Sequence, residues 1–278
     1  MGFDFPALSA VFKPYQEKIA ATAKPAVTMA LTPQPELSLW QSKIGGWPYL
    51  PLETEYPKSA EGQPLILLAQ INLAEMPALP EFPAQGILQF YIAADDLYGM
   101  NFADQQAQSG FRVLYFENVV EDIQQLKQDF SDIEFNDDEC LTPFPLTAQY
   151  AIEFLLGQQA ISCTDFAFGR KILSVEQLGE FESLYEGGDF YDDFIEPYAE
   201  AFPGTGHRLG GYPFFTQSDP REYNPEIQDY ILLFQLDSDS EGGREIMWGD
   251  VGVGNFLIHP DDLKKRDFSK VLYNWDCS

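Results

Sequence analysis

A chain of 278 residues with 45% hydrophobic and 15% aromatic content can bury a substantial core in one large domain or two moderate ones. Lys and Arg number 16 against 44 Asp and Glu, a net charge of −28 that repels nucleic-acid phosphates and anionic membranes, so neither is an expected partner. The same field suits a basic protein partner, or simple solubility.

Cysteine usage and the N-terminus narrow the compartment. Cys140, Cys163 and Cys277 are dispersed, with no CxxC pair, which argues against a disulfide framework or a zinc knuckle and for a reducing cytoplasm. The opening "MGFDFPALSA" has no basic or apolar leader region, and Pro6 stands where a myristoylation signal needs Ser or Thr. No stretch approaches 18 uninterrupted apolar residues.

In chain order, Leu8, Val11, Phe12, Tyr15, Ile19 and Ala23 fall on one helical face, with Pro14 predicting a kink or two shorter helices. "AVTMAL" (26–31) reads as a strand. "IGGWPYL" (44–50) is a Gly-Gly turn followed by an aromatic-Pro step, which needs positive φ or a close backbone approach and then an extended residue. "LILLAQINL" (65–73), "GILQFYIA" (86–93) and "FRVLYF" (111–116) are apolar, branched or aromatic runs between turn residues, hence strands. Ile123, Leu126 and Phe130 have helical spacing, "TAQYAIEFLLG" (147–157) reads as a helix ended by Gly157, and "SVEQLGEFESLY" (174–185) opens with Ser174 and Gln177 in capping-box spacing. "LGGYPFF" (209–215) repeats the unusual turn, and "YILLFQLDS" (230–238) and "GVGNFLIH" (252–259) repeat the strands. Gly252 and Gly254 suggest a bulge or tight contact in the latter. "DDL" at 95–97 and 261–263 predicts a short helix with Asp as its cap.

The repetition has a register. At an offset of 165, residues 45–71 find nine identities, among them Gly45, Gly46 and Pro48 on Gly210, Gly211 and Pro213, and Gln70 on Gln235. At 166, Phe90, Ile92, Asp95, Asp96 and Leu97 meet Phe256, Ile258, Asp261, Asp262 and Leu263. A constant offset predicts an internal duplication, units at about 44–97 and 209–263 sharing one core across a pseudo-twofold axis. Convergent turn and strand chemistry is the alternative. Between Lys127 and Arg208 only Arg170 and Lys171 oppose seventeen acids. This acidic stretch, within an insert of about 117–207, is expected to be a solvated helical face or a surface for a basic partner.

The strings "QSKIGGWPYLP", "LAQINLAEMP", "GILQFYI", "GGYPFFTQSDPR", "LLFQLDSD", "WGDVGVGNFLI" and "VLYNWDC" resemble the YwqG-like family of bacterial proteins of unknown function, from about residue 41 to the C-terminus. The resemblance implies a cytoplasmic α+β protein with no assigned activity, and it carries no catalytic residues to transfer.

Candidate site residues cluster around the second turn. His207 and Arg208 precede it and Gln217, Asp219 and Arg221 follow, a set able to hold an anionic or amide group beside a Gly-rich backbone. The first copy has Lys43 before its turn but Leu52 and Thr54 in place of Gln217 and Asp219, as if one copy alone kept a site. The local alternative is an Asp219-Pro220 turn with Arg221 paired to it. Trp248 and Asp250 in "WGDVGVGNF" are further ligand candidates beside an aromatic anchor. Gln70 and Gln235 sit in apolar strands and need hydrogen bonds, structural or across a shared cleft. "DSDSEGG" (237–243) starts like a calcium loop, but its twelfth position is Trp248, so a hairpin turn is expected. No Walker lysine, G-x-S-x-G or H-E-x-x-H is present, and two histidines cannot make a His-rich metal site.

The expectation is therefore a single α+β domain, mostly antiparallel sheet from two repeated β units, with an N-terminal helix and an acidic helical insert. Its function is expected to be non-enzymatic binding of another, basic, protein in the cytoplasm as a neutralising or regulatory partner. No cofactor, metal or catalytic residue is expected. The alternative is a small polar ligand, or an unrecognised enzyme, in a cleft between the units lined by His207, Arg208, Gln217, Asp219, Arg221, Trp248 and Asp250.

Overall fold

The computed structural model describes residues 10–135, 141–182 and 190–278. Leu8, Cys140 and residues 183–185 of the stretch opened by Ser174 lie outside them. A 3-10 turn (Ala10–Tyr15) carrying Pro14 leads into α1 (Gln16–Thr22), the two short pieces that a proline there predicts. The strands are β1 (Lys24–Pro33), β2 (Lys43–Gly45), β3 (Ile66–Asn72), β4 (Ile87–Ile92), β5 (Phe111–Phe116), β6 (Gln149–Gln159), β7 (Arg208–Gly210), β8 (Ile231–Asp237), β9 (Val253–Ile258) and β10 (Leu272–Asp276). The remaining helices are α2 (Phe168–Ile172), α3 (Val175–Glu182), α4 (Glu196–Ala201), entered through a π turn (Tyr191–Ile195), and α5 (Pro260–Lys265).

All ten strands join one antiparallel sheet in the order β10-β9-β8-β7-β1-β6-β2-β3-β4-β5, which makes the class α+β. The spine is β1 on β6, paired from Lys24↔Gln159 to Pro33↔Tyr150. Val27, Met29 and Leu31 point inward while Thr28, Ala30 and Thr32 are exposed, the period-two alternation of a half-buried strand. On one side β2, β3, β4 and β5 follow, and on the other β7, β8, β9 and β10. The β3–β4 register shifts between Leu67 and Ala69, and the β8–β9 register between Leu232 and Phe234.

The sheet curls until its two wings face each other, nearly closing a barrel. Phe90 of β4 stacks on Phe234 of β8 with centroids 4.6 Å apart, and Phe111 of β5 meets Tyr273 of β10 at 5.3 Å. Both wings thus fill one core, with Leu68, Phe90, Leu233 and Phe256 fully buried in it. Glutamines of the loop before β5 tie the rims: Gln105 Nε2 donates to Asn274 Oδ1, Gln106 Nε2 to the Tyr230 hydroxyl, and Gln108 Nε2 to the Phe268 carbonyl. A second cluster lies outside the sheet, where Phe12, Ile19, Phe168, Phe194 and Tyr198 cover the second Gly-Gly turn at Tyr212.

Several expectations need correction. Residues 147–157 are not a helix; most of them form β6, because Tyr150, Ile152 and Phe154 pack inward at period two against a ten-residue partner strand. The spacing of Ile123, Leu126 and Phe130 yields only a 3-10 turn, Ile123–Gln125, capped by Asp122. The acidic insert is accordingly part helix, part strand and part loop. "DDL" at 95–97 is a turn, with Asp95 Oδ1 accepting from the N–H groups of Leu97 and Gly99. At 261–263 the helix forms as α5, but its cap is His259, whose Nδ1 accepts from Asp261 N–H. Ser174 and Gln177 do make the reciprocal capping bonds. Gly254 marks a tight contact: a Cβ there would lie 2.5 Å from the Trp248 ring.

Candidate functional site

The Gly-Gly turns are built alike. Gly45 and Gly46 have φ of 68° and 69°, and Gly210 and Gly211 have 65° and 69°, a left-handed pair that other residues adopt only with strain. Each turn is followed by backbone held by a buried glutamine. Gln70 Oε1 accepts from Tyr49 N–H at 2.7 Å, and its Nε2 donates to the carbonyls of Leu39 and Gln41 at 2.8 and 2.9 Å. Gln235 Oε1 accepts from Phe214 N–H at 2.8 Å, and its Nε2 donates to the carbonyls of Gly204 and Gly206 at 3.0 and 2.7 Å. A neighbouring strand adds a second clamp, Gln89 Nε2 to the Tyr49 carbonyl and Asn255 Nδ2 to the Phe214 carbonyl. The amides of Gln70 and Gln235 are thus spent on backbone, which is what buried amides require.

A cation precedes each turn. Lys43, 1% exposed, donates to the carbonyls of Ser38 and Trp47, both at 2.9 Å, and burial lowers its pKa to about 8 against the opposing pull of Glu75. Arg208, opposite Gln235 in register, donates to the Thr205 carbonyl; burial lowers it to about 10, partly offset by Asp237.

The seven residues singled out from the sequence fall into separate groups. His207 is buried; its Nδ1 accepts from Asp237 N–H, which leaves the hydrogen on Nε2, 3.2 Å from Asp239 Oδ2. Burial lowers the His207 pKa, with Asp239 pulling the other way. Asp239 is also bound by Arg244. Asp219 and Arg221 form a buried triad with Asp165. Arg221 Nη2 reaches Asp165 Oδ2 at 2.8 Å and Asp219 Oδ2 at 2.6 Å, its Nε reaches Asp219 Oδ1, and its Nη1 donates to the Tyr230 carbonyl. Burial would lower the Arg221 pKa, but the bonds to Asp219 and Asp165 outweigh it and hold it above its ordinary value. Four bonds and the Phe166 ring, 4.9 Å away, occupy this guanidinium. Gln217 is exposed and donates from Nε2 to the Cys277 carbonyl, while the Asp250 carbonyl accepts from Ser278 N–H, so these two flank the C-terminal tail. Trp248 is fully buried between Tyr98 and Trp275.

Two hollows among the described residues lie elsewhere. A cavity of about 400 Å³ sits beside the first turn, walled by Trp47, Tyr56, Leu67, Phe135 and Phe144, with Thr147 and Gln149 as its polar groups. Trp47 is 41% exposed, although Phe130 stacks on it at 4.7 Å and Phe135 lies 6.5 Å away. A second, more open hollow of about 590 Å³ lies by Trp40, Asn72, Glu117 and Glu121. Neither contains any of the seven residues. One cue to the first cavity is legible in the chain: its turn carries Trp47, a larger aromatic than Tyr212 of the second turn, which is 5% exposed. Phe135 and Phe144, distant in the chain, gave none.

Among the described residues no group of His, Cys, Asp and Glu is placed to hold a metal ion, and no helix is long and apolar enough to cross a membrane. The thiols of Cys163 and Cys277 are free, and burial raises that of Cys163 to about 11.

A curled antiparallel sheet with paired glycine turns and glutamine clamps defines an α+β protein whose polar interior serves its backbone. The chain belongs to the family described as a domain of unknown function, DUF1963, over residues 42–277. No curated protein matches it.

Proposed function

We propose that this chain is a YwqG-like member of that family, built from two duplicated β units, which acts without catalysis by binding a basic protein in the cytoplasm as a neutralising or regulatory partner. Support for duplication comes from the shared glycine angles, the matching register shifts and the glutamine bonds, each repeating at the offset of 165. Free thiols and three dispersed cysteines favour a reducing compartment.

The observation that carries the partner reading is where the carboxylates point. Glu117, Glu121, Asp122, Asp129, Asp132 and Glu134 are all exposed, while Leu126 and Phe130 of the same stretch are buried. In the π turn and α4, Asp192, Asp193, Glu196 and Glu200 are exposed while Phe194, Ile195 and Tyr198 are buried. Lys127 pairs with Asp132 and Arg266 with Glu117, which leaves most of this charge uncompensated. A field of one sign steers an oppositely charged partner and is screened by salt. Titration against a defined polylysine and a panel of basic proteins should give affinity that drops by about tenfold or more between 50 and 200 mM salt. Reversing Asp192, Asp193, Glu196 and Glu200 to Lys should remove most of it. Salt-independent affinity, or none, refutes the proposal.

A further inference from the structure

We infer that the cavity beside Trp47 is a binding site for an apolar organic cation of the quaternary or alkylated ammonium class. The inference rests on reading the two wings as equivalent units, because the closed wing shows what its own turn receives. The pairing registers set the correspondence: Gly45 stands opposite Gln149 on β6, and Gly210 stands opposite Ala26 on β1. Two residues back along the chain lie Thr147, in the turn before β6, and Lys24, the first residue of β1. In the second wing Lys24 Nζ sits 3.6 Å from the centroid of the Tyr212 ring, the counterpart of Trp47. The chain thus places an amine on that aromatic; burial lowers its pKa to about 8, with Asp165 pulling the other way, so it remains a cation at neutral pH, and the Phe166 ring packs on Arg221, the counterpart of Tyr56. Helices and their aromatics then close the whole region over.

Among the described residues no cation of the chain sits on the Trp47 ring itself; Lys127, paired with Asp132, lies 5.6 Å from the Phe130 ring stacked on it. Thr147 is uncharged, and Trp47 stands 41% exposed at a cavity of about 400 Å³, within the range of small-molecule pockets. Its walls are aromatic and aliphatic. Of its polar groups, Gln149 already donates its amide to the Pro35 carbonyl. Among the described residues no fixed cation lines it to receive an anion, and few groups are free to recognise a neutral polar ligand. Exposed Asp129 and Glu134, with Asp132 paired to Lys127, flank the two phenylalanines that stack on Trp47, in a chain of net charge −28, so the local field favours a positive guest. A cation with an apolar body satisfies both the walls and the field, and indole is the ring that attracts such cations best.

The test uses choline and its neutral carbon isostere, 3,3-dimethylbutan-1-ol, on the full-length protein, read by calorimetry and tryptophan fluorescence. Choline should bind at one site at least about tenfold more tightly than the isostere, and Trp47→Ala should abolish the difference. Thr147→Lys, at an exposed position, should block choline by installing the cation that the other wing already uses, with the melting temperature unchanged. Equal binding of the two probes, or binding of neither, overturns the proposal. Choline preference that survives Thr147→Lys upholds the cation site and refutes the equivalence of the wings.

Discussion

Gln70 offers the sharpest energetic test of how the first wing is held. Replacement by Met keeps a flexible side chain of similar length in a fully buried position and removes every bond the amide makes. Left without partners are Tyr49 N–H and the carbonyls of Leu39 and Gln41, and Gln89 Nε2 loses its 2.8 Å bond to Gln70 Oε1 while keeping its 2.6 Å bond to the Tyr49 carbonyl. A stranded buried polar group costs about 1–3 kcal/mol. Leu39 is half-buried and Gln41 exposed, so their carbonyls can turn to water, and the loss sits at the low end, about 3–4 kcal/mol. Gln235→Met strands Phe214 N–H and the carbonyls of Gly204, which is buried, and Gly206, which is half-buried, so it should cost at least as much. The two glutamines share no partner, so the double variant should lose the sum to within about 0.5 kcal/mol. Urea unfolding followed by fluorescence measures all three. A loss below about 1 kcal/mol for either single variant would show that the glutamines are not what pins the loops.

Gly211→Ala should destabilise by about 2 kcal/mol or more, since φ is 69° and the new Cβ would lie 2.8 Å from Ala26 Cβ on β1; Gly62→Ala, at φ 84° with open space around it, should cost only about 1 kcal/mol, and unfolding curves that rank them the other way would refute the steric argument. Arg221→Met leaves Asp165 and Asp219 buried without their counter-ion and should cost about 3–5 kcal/mol, and a loss below about 1 kcal/mol would contradict the triad's role. His207 has a folded pKa below its ordinary 6.5, so the unfolded chain takes up its proton first. Its contribution is therefore complete above pH 6.5 and is lost as pH falls from there toward the lowered value. The difference in unfolding free energy between the parent and His207→Gln should shrink over that window, and a pH-independent difference would contradict the assignment of the neutral ring.

The parts of the fold legible in the sequence are those whose cause is local. β3, β4, β8 and β9 are continuous apolar runs between turn residues, and the Gly-Gly pairs announced positive φ directly. β6 was misread because Tyr150, Phe154 and Gly157 also satisfy helical spacing; what decides it is β1, more than a hundred residues away, which offers ten backbone partners. Arg221 beside Asp219 was visible as a local pair, but Asp165, which completes and seals the triad, lies 56 residues earlier. The candidate ligand set was assembled from sequence proximity to one turn, and tertiary structure sends its members to different tasks. The cavity beside Trp47 needs Phe135 and Phe144 folded back onto the first turn, a proximity that no local pattern encodes.

Hydrogen exchange at the clamped amides bears most directly on the claim that two equivalent wings share one interior. Tyr49 N–H and Phe214 N–H, together with the amides of β3 and β8, should exchange only through global unfolding, with a common free energy equal to that from urea denaturation. Opening of one wing at a free energy well below the other, with the second still protected, would mean two separable bodies and would contradict the account.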